Sequence, residues 1–194
     1  MTDETLIQAA SSGDDNAFKE LIRRYEQKVA ATVIGMLGPG PEAEDVGQEV
    51  FIRFYRTMNR FRGEASLGTY LTRIAINLSL NSIKRRKRKR LLFWEKSVET
   101  ITDLASLASS GFDEDDREIV QKAIRKLDPV FQSVIVLRLM EGYSTRETAE
   151  ILNIPEGTVL SRLARAQKKL KKILIPYFGA SHGRENVRVV ASVV

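Results

Sequence analysis

The sequence predicts an all-α fold, in two small helical domains joined by a flexible linker, and three observations predict it. Apolar residues recur every three or four positions along the long segments, as helices with one buried face require. The breaks between those segments carry the residue types that stop and start helices. Between about residues 95 and 115 the periodicity fades and Ser, Gly and Asp collect, so the chain divides there. The expected organisation is a four-helix domain over 1–94, a linker over 95–115, a helix-turn-helix domain over 116–178 and a tail over 179–194.

Each element has a local cause. Residues 3–11 suit a short helix, and Gly13-Asp14-Asp15 then breaks and caps ahead of a long amphipathic segment from Ala17 to about Leu37. Phe18, Leu21, Ile22, Tyr25, Val29 and Val33 share one stripe of that segment, and Gly38-Pro39-Gly40-Pro41 ends it. The next helix runs from Glu42 to about Arg60, with acidic residues in its first turn, where the exposed N–H groups favour them. Its core stripe is Ala43, Val46, Val50 and Phe54. After a loop holding Gly63 and Gly68, a fourth helix carries Leu71, Ile74, Leu78 and Ile83 into seven consecutive basic residues, 84–90. Ile101 to Leu107 has the pattern of a helical turn or two within the linker.

In the second domain Asp128-Pro129 reads as a cap with proline at the first helical position, where a missing N–H costs nothing. Val130 to Met140 is densely apolar, Glu141-Gly142-Tyr143 breaks it, and Ser144-Thr145-Arg146-Glu147 is a capping box. The short helix so opened ends near Leu152. Asn153-Ile154-Pro155 turns the chain, and a longer helix follows from Glu156 or Gly157 to about Ile173.

Composition narrows the function. The 194 residues carry 31 Lys and Arg against 25 Asp and Glu, a formal charge of +6, which favours an anionic partner. The charge is segregated: residues 84–96 hold 8 basic and 1 acidic side chains, 97–122 hold 2 and 7, and 123–194 hold 12 and 6. Discrete binding surfaces fit that pattern better than uniform basicity. Cysteine is absent, which excludes disulfides, thiolate catalysis and cysteine-ligated zinc. No apolar run approaches the roughly 20 residues of a bilayer span, and the acidic N-terminus lacks the order of a secretion signal. A cytoplasmic protein with no integral membrane segment, no cofactor, no metal and no chemistry of its own is expected.

The two helices at 144–173 have the parts of a helix-turn-helix. Ala149 is small where the helices cross, Ile154 plugs the turn, and Val159, Leu163, Ala166 and Leu170 form the inner stripe of the longer helix. Away from that stripe, Thr158, Ser161, Arg162 and Arg165 suit contacts to base edges of duplex DNA. Arg146, Lys168 and Lys169 suit the backbone. In the first domain the basic run, with Lys84, Arg85 and Arg86 at its start, forms a collar round its helix and should bind phosphates in a salt-dependent way. Upstream, Arg60, Phe61, Arg62, Tyr70 and Arg73 mix aromatic with basic residues, the chemistry that holds unpaired strands, although either ring taken singly weighs more as core. Asn77 lies four residues beyond Arg73 and extends the same polar patch. The acidic helix face of Glu42, Glu44, Asp45, Gln48 and Glu49 would repel DNA, so any binding role there requires a basic protein partner.

These residues resemble those of the extracytoplasmic-function sigma factors, the compact bacterial sigma factors that keep only the second and fourth conserved regions. Three stretches carry the resemblance. The first is Gly13-Asp14, Ala17-Phe18 and Arg24-Tyr25, running on to Ala43-Glu44-Asp45-Val46-Gly47-Gln48-Glu49-Val50-Phe51-Ile52; the second is residues 69–77 with the basic run. The third combines Leu137-Arg138, Gly142-Tyr143-Ser144, Glu147-Thr148-Ala149-Glu150, Ile154 to Val159 and Ser161-Arg162-Leu163. The resemblance implies that Asp45, Gln48 and Glu49 dock the clamp helices of the largest subunit of core RNA polymerase. It implies that Arg60 to Asn77 recognises and opens the −10 element, with Phe61 near a captured base, and that the C-terminal helix reads the −35 element as duplex. An anti-sigma protein is a plausible further partner on the same ground. Tyr70 stands where many members have tryptophan, Gly47 where a larger residue is common, and Leu160 at a position often lysine. The alternative is a stand-alone dimeric helix-turn-helix regulator on a palindrome, which leaves the acidic helix without a role.

Overall fold

The computed structural model describes residues 1–94 and 114–178. The expected linker, except for its last two positions, and the tail with His182 lie outside the described residues. Four helices form an N-terminal module: α1 (Asp3–Ser11), α2 (Asp15–Leu37), α3 (Pro41–Thr57), extended by a 3-10 turn at Met58–Arg60, and α4 (Leu67–Trp94). Four more form a C-terminal module: α5 (Glu114–Arg125), α6 (Pro129–Ile135), which runs on as a π-helical turn over Val136–Met140, α7 (Thr145–Leu152) and α8 (Glu156–Phe178).

The caps explain where the helices begin. The Asp14 carboxylate accepts from the N–H groups of Asn16 and Ala17 at 2.9 and 3.3 Å, satisfying donors that a helix start leaves without intrahelical partners. Pro41 stands at the start of α3, and Gly38 and Gly40, with φ of +85° and +134°, make the sharp α2–α3 turn. The expected stripe of α3 is buried in full, and Val33, Val50 and Phe54 are sealed at the centre of the module. Glu42 in the first turn of α3 reaches α4: one oxygen accepts from the Ser82 hydroxyl, the other from Arg86 at 3.4 Å.

In the C-terminal module the capping box is complete: Ser144 Oγ accepts from the Glu147 N–H at 3.2 Å, and Glu147 accepts from the Ser144 N–H at 2.8 Å. The Asp128 side chain differs from expectation. It caps nothing and instead pairs with Lys169 of α8 at 2.7 Å, so it ties α6 to α8. The helix over Val130–Met140 also loosens at its end. Glu141 N–H bonds back to Val136 and Tyr143 N–H to Leu137, both at 2.9 Å, and Gly142 takes φ of +70°. This left-handed exit throws Tyr143 inward, where it is buried.

The two modules are packed on each other, and buried residues of both belong to one continuous core. Gly35 of α2 meets Val136 so closely that an added Cβ would lie 3.1 Å from its Cγ1. Beside it the buried Gln132 amide of α6 donates to the carbonyls of Met36 (2.7 Å) and Gly35 (3.3 Å) in the last turn of α2. Tyr143 shares a buried hydrogen bond of 2.8 Å with Thr72 of α4, and Lys28 of α2 sits 4.8 Å above its ring. Arg73 of α4 donates to the backbone carbonyl of Glu150 in α7 at 2.9 Å.

The capping box yields a stability prediction. Ser144→Ala should cost about 1 kcal/mol, as for other N-caps, measured by chemical denaturation. The Ser144 hydroxyl and N–H hold the Glu147 carboxyl below its ordinary value of 4.5. The stability that this adds is therefore present above that value and is lost as pH falls below it. A Glu147→Gln chain should lack this acid-sensitive component.

Candidate nucleic-acid and protein-binding faces

The helix-turn-helix is built on a small second cluster in which Val134, Ala149 and Val159 are buried and Leu152, Ile154 and Leu163 pack against them. Ala149 therefore does sit where α7 and α8 approach, and Ile154 fills the turn. Asn153 supplies the turn itself with a left-handed backbone, φ 52°, a conformation that asparagine tolerates better than most residues. Of the inner stripe of α8, Val159, Ala166 and Leu170 are buried and Leu163 half-buried.

That packing leaves a polar face outward. Thr158, Ser161, Arg162 and Arg165 fall at i, i+3, i+4 and i+7, so one side of α8 carries them all. Ser161 and Arg165 are exposed and Thr158 and Arg162 half-buried. Lys168 is also exposed. Lys169 is occupied instead: besides its ion pair with Asp128, it lies 4.6 Å over the Phe131 ring. Arg146 pairs with Glu150 one turn along α7 at 3.3 Å, an exposed pair worth at most about 1 kcal/mol and easily exchanged for a phosphate.

In the N-terminal module the aromatic residues form a ladder. Phe61 meets Tyr70 edge-on at 5.2 Å, Tyr70 meets Phe54 at 6.2 Å, and the Tyr70 hydroxyl is 3.2 Å from that of Thr57. Phe61 and Tyr70 are both half-buried, so each has a foot in the core and surface left over. Arg60, Arg62 and Asn77 are exposed around them. Arg73 is not with Asn77 in one outward patch: its guanidinium turns to the Glu150 carbonyl of the other module. Further along α4 all seven basic residues from Lys84 to Arg90 are exposed, in a helix that runs unbroken to Trp94.

The acidic face of α3 is smaller than its sequence suggests. Glu42 is spent on Ser82 and Arg86, and Glu49 pairs with Arg53 at 3.0 Å. Glu44, Asp45 and Gln48 stay exposed. Beside them an open cavity of about 360 Å³ lies between α2 and α3, floored by Val29, Ile34 and Ala43 and flanked by Glu26 and Glu44. Gly47 borders it with nothing within 4 Å of where a Cβ would stand, so packing does not require glycine there.

Sequence reasoning missed the residues that join the modules: Gly35, Thr72, Gln132 and Tyr143. The signals were faint. Gln132 is a polar residue in a densely apolar helix, and Gly35 a glycine inside a long one.

The chain matches the family model of sigma-70 region 2 over residues 21–89 and that of sigma-70 region 4 over 117–170. The chain thus carries both of these sigma regions, one in each of the two helical modules. The ECF RNA polymerase sigma factor SigW of Bacillus subtilis is 34% identical over 176 residues, 87% of this chain and 94% of its own length. The ECF sigma-E factor of Escherichia coli K12 is 32% identical over 184 residues, 91% of this chain and 96% of its own. The chain belongs to the ECF sigma factors of RNA polymerase. Two solved structures share the fold: CnrH in complex with the cytosolic domain of CnrY (TM-score 0.65, 24% identity, 90% of this chain and 98% of that one) and RpoE with the anti-sigma factor NepR from Bartonella quintana (TM-score 0.63, 23% identity, 81% and 96%). Among the described residues no helix is long and apolar enough to cross a membrane.

The exposed collar on α4 yields a prediction about salt. Replacing Lys84 and Arg85 by alanine should lower the slope of log affinity against log salt on duplex DNA by about 0.9 for each phosphate no longer neutralised. Fluorescence anisotropy across a salt series measures it, and an unchanged slope would remove these two residues from phosphate binding.

Proposed function

We propose that this sigma factor directs core RNA polymerase to its promoters through three separate faces. The outward side of α8, with Thr158, Ser161, Arg162 and Arg165, enters the major groove of the −35 element, while Arg146, Lys168 and Lys169 hold the phosphates. Lys169 does so after leaving Asp128. Arg60, Phe61, Arg62, Tyr70, Arg73 and Asn77 receive the unpaired strand of the −10 element. Lys84, Arg85 and Arg86 anchor the adjoining backbone. Asp45, Gln48 and Glu49 on α3 meet the clamp helices of the polymerase's largest subunit. The observation that carries this reading is the separation of charge: one acidic face on α3 and two basic ones on α4 and α8, each outward, in a chain with both sigma regions.

Binding energy drives the opening of DNA in this scheme. Unstacking a base costs a few kcal/mol, and stacking it on an aromatic ring returns about 1–3 kcal/mol, so ring contacts and arginine–phosphate contacts together offset the cost. Bond formation belongs to the polymerase, and this chain acts in the cytoplasm without a cofactor. The two solved structures that share its fold hold partner proteins, one of them named an anti-sigma factor, which supports control of this chain by a protein inhibitor.

Co-purification with core polymerase, followed by transcription from a library of random promoters, tests the whole reading; it fails if the chain confers no promoter preference. Asp45→Arg should abolish association with core polymerase and leave duplex binding intact. Arg162→Ala should relax sequence preference at one −35 position by about 1–3 kcal/mol, read from footprints on single-base variants.

A further inference from the structure

Leu160 of α8 is 55% exposed, more than any other large apolar side chain among the described residues except Met1 at the chain start. A single exposed leucine is ordinary on a protein surface, so its position on the helix decides whether it matters. At about 100° per residue, Val159, Ala166 and Leu170 mark the buried side of α8, with Thr158 and Arg162 half-buried along one edge. The opposite side carries a row of exposed residues: Gly157, Leu160, Ala164, Lys168 and Lys171. The lysines stand at the far end of this row. The apolar residues stand at the near end, the part of a recognition helix that meets base edges in the major groove.

That near end has little to offer a base by hydrogen bonding. Gly157 has no side chain and nothing within 4 Å of where a Cβ would stand, so a base edge can approach the backbone there. Ser161, next to Leu160, gives its hydroxyl proton to the Thr158 carbonyl at 3.1 Å. Ala164 presents only a methyl group. A polar base edge set against Leu160 loses water and gains no partner, which is costly. Thymine is the exception, because its C5 methyl projects into the major groove and is matched by apolar contact.

We propose that Leu160 is a specificity-determining residue, reading a thymine methyl group in the −35 duplex, with Gly157 and Ala164 as small flanks that let the base edge close on it. This rests on the placement of α8 in that groove proposed above. It adds an apolar readout to the polar one of Thr158, Ser161, Arg162 and Arg165. The cationic end of the same row, Lys168 and Lys171, favours DNA as the occupant.

Uracil differs from thymine only by that methyl group, so a base substitution separates this contact from every hydrogen bond. Duplexes selected from a random pool by the full chain, alone and bound to core polymerase, should share a thymine that Leu160→Ala no longer requires. Replacing that thymine with uracil should weaken wild-type binding about fourfold, the value of one buried methyl group (about 0.8 kcal/mol, at about 1.4 kcal/mol per tenfold). Leu160→Ala should bind the two duplexes alike and keep the wild-type melting temperature, since the side chain lies largely outside the core. Equal wild-type affinity for thymine and uracil at every −35 thymine overturns the proposal. So does a uracil penalty that survives undiminished in Leu160→Ala, the pattern that a purely structural role gives. A chain that selects no duplex sequence removes this contact together with the −35 role of α8. A thymine contact confirmed in a chain that confers no promoter preference on core polymerase supports Leu160 and counts against the sigma-factor reading alone.

Discussion

Backbone carbonyls in the last turn of a helix have no partner within it, and where such an end is buried the deficit costs about 1–3 kcal/mol per group. At the end of α2 the Gln132 amide of the other module meets two of them, and just beyond, the Arg125 guanidinium lies 3.0 Å from where a Cβ on Gly38 would stand. A cation there also suits the negative end of the helix dipole, although burial makes the Arg125 charge harder to hold and lowers its pKa. The arrangement of the molecule depends on this termination. With Gln132 seated, Val136 falls against Gly35, the π-helical turn follows, and Tyr143 is carried under Lys28 onto Thr72.

The same constraint governs which promoter-reading groups are free. The outward side of α8 points away from the interface and stays open, as does the basic collar of α4. The start of α4 lies beneath α7, and Arg73 is the residue that suffers. Two kinds of surface result from one packing decision: faces that depend on the local helix alone, and a face that depends on where the second module rests.

Charge is partitioned on a related principle. Several acidic and basic groups that look available in the sequence are used for internal ties: Glu42 to Ser82 and Arg86, Asp128 to Lys169, and Glu20 to Arg23 and Arg24, whose hydrogen bonds lower the Glu20 pKa to about 2. Exposed besides these are, among others, Glu44, Asp45 and Gln48 on α3, the run from Lys84 to Arg90 apart from the paired Arg86, and Arg165 and Lys168 on α8, with Arg162 half-buried beside them. Net charge alone does not separate these two populations, since an ion pair and a free face add the same residues to the total.

Much was legible in the sequence because its causes are local. Helix starts at Asp14 and Ser144 follow from side chains reaching backbone N–H groups two or three residues on. The buried stripes of α3 and α8 follow from a period of 3.6, and the polar face of α8 from the same arithmetic. Family resemblance rested partly on such stretches, and the two sigma regions match at 21–89 and 117–170, which leaves Gly13 to Phe18 outside. The tertiary structure decided what no spacing encodes: that Gln132 caps a helix nearly a hundred residues away, that Asp128 pairs with Lys169 instead of capping, and that Arg73 bonds to Glu150. Such pairings arise when two surfaces dock. Their partners are set by the shape and unmet hydrogen bonds of the other surface, which a one-dimensional pattern does not contain.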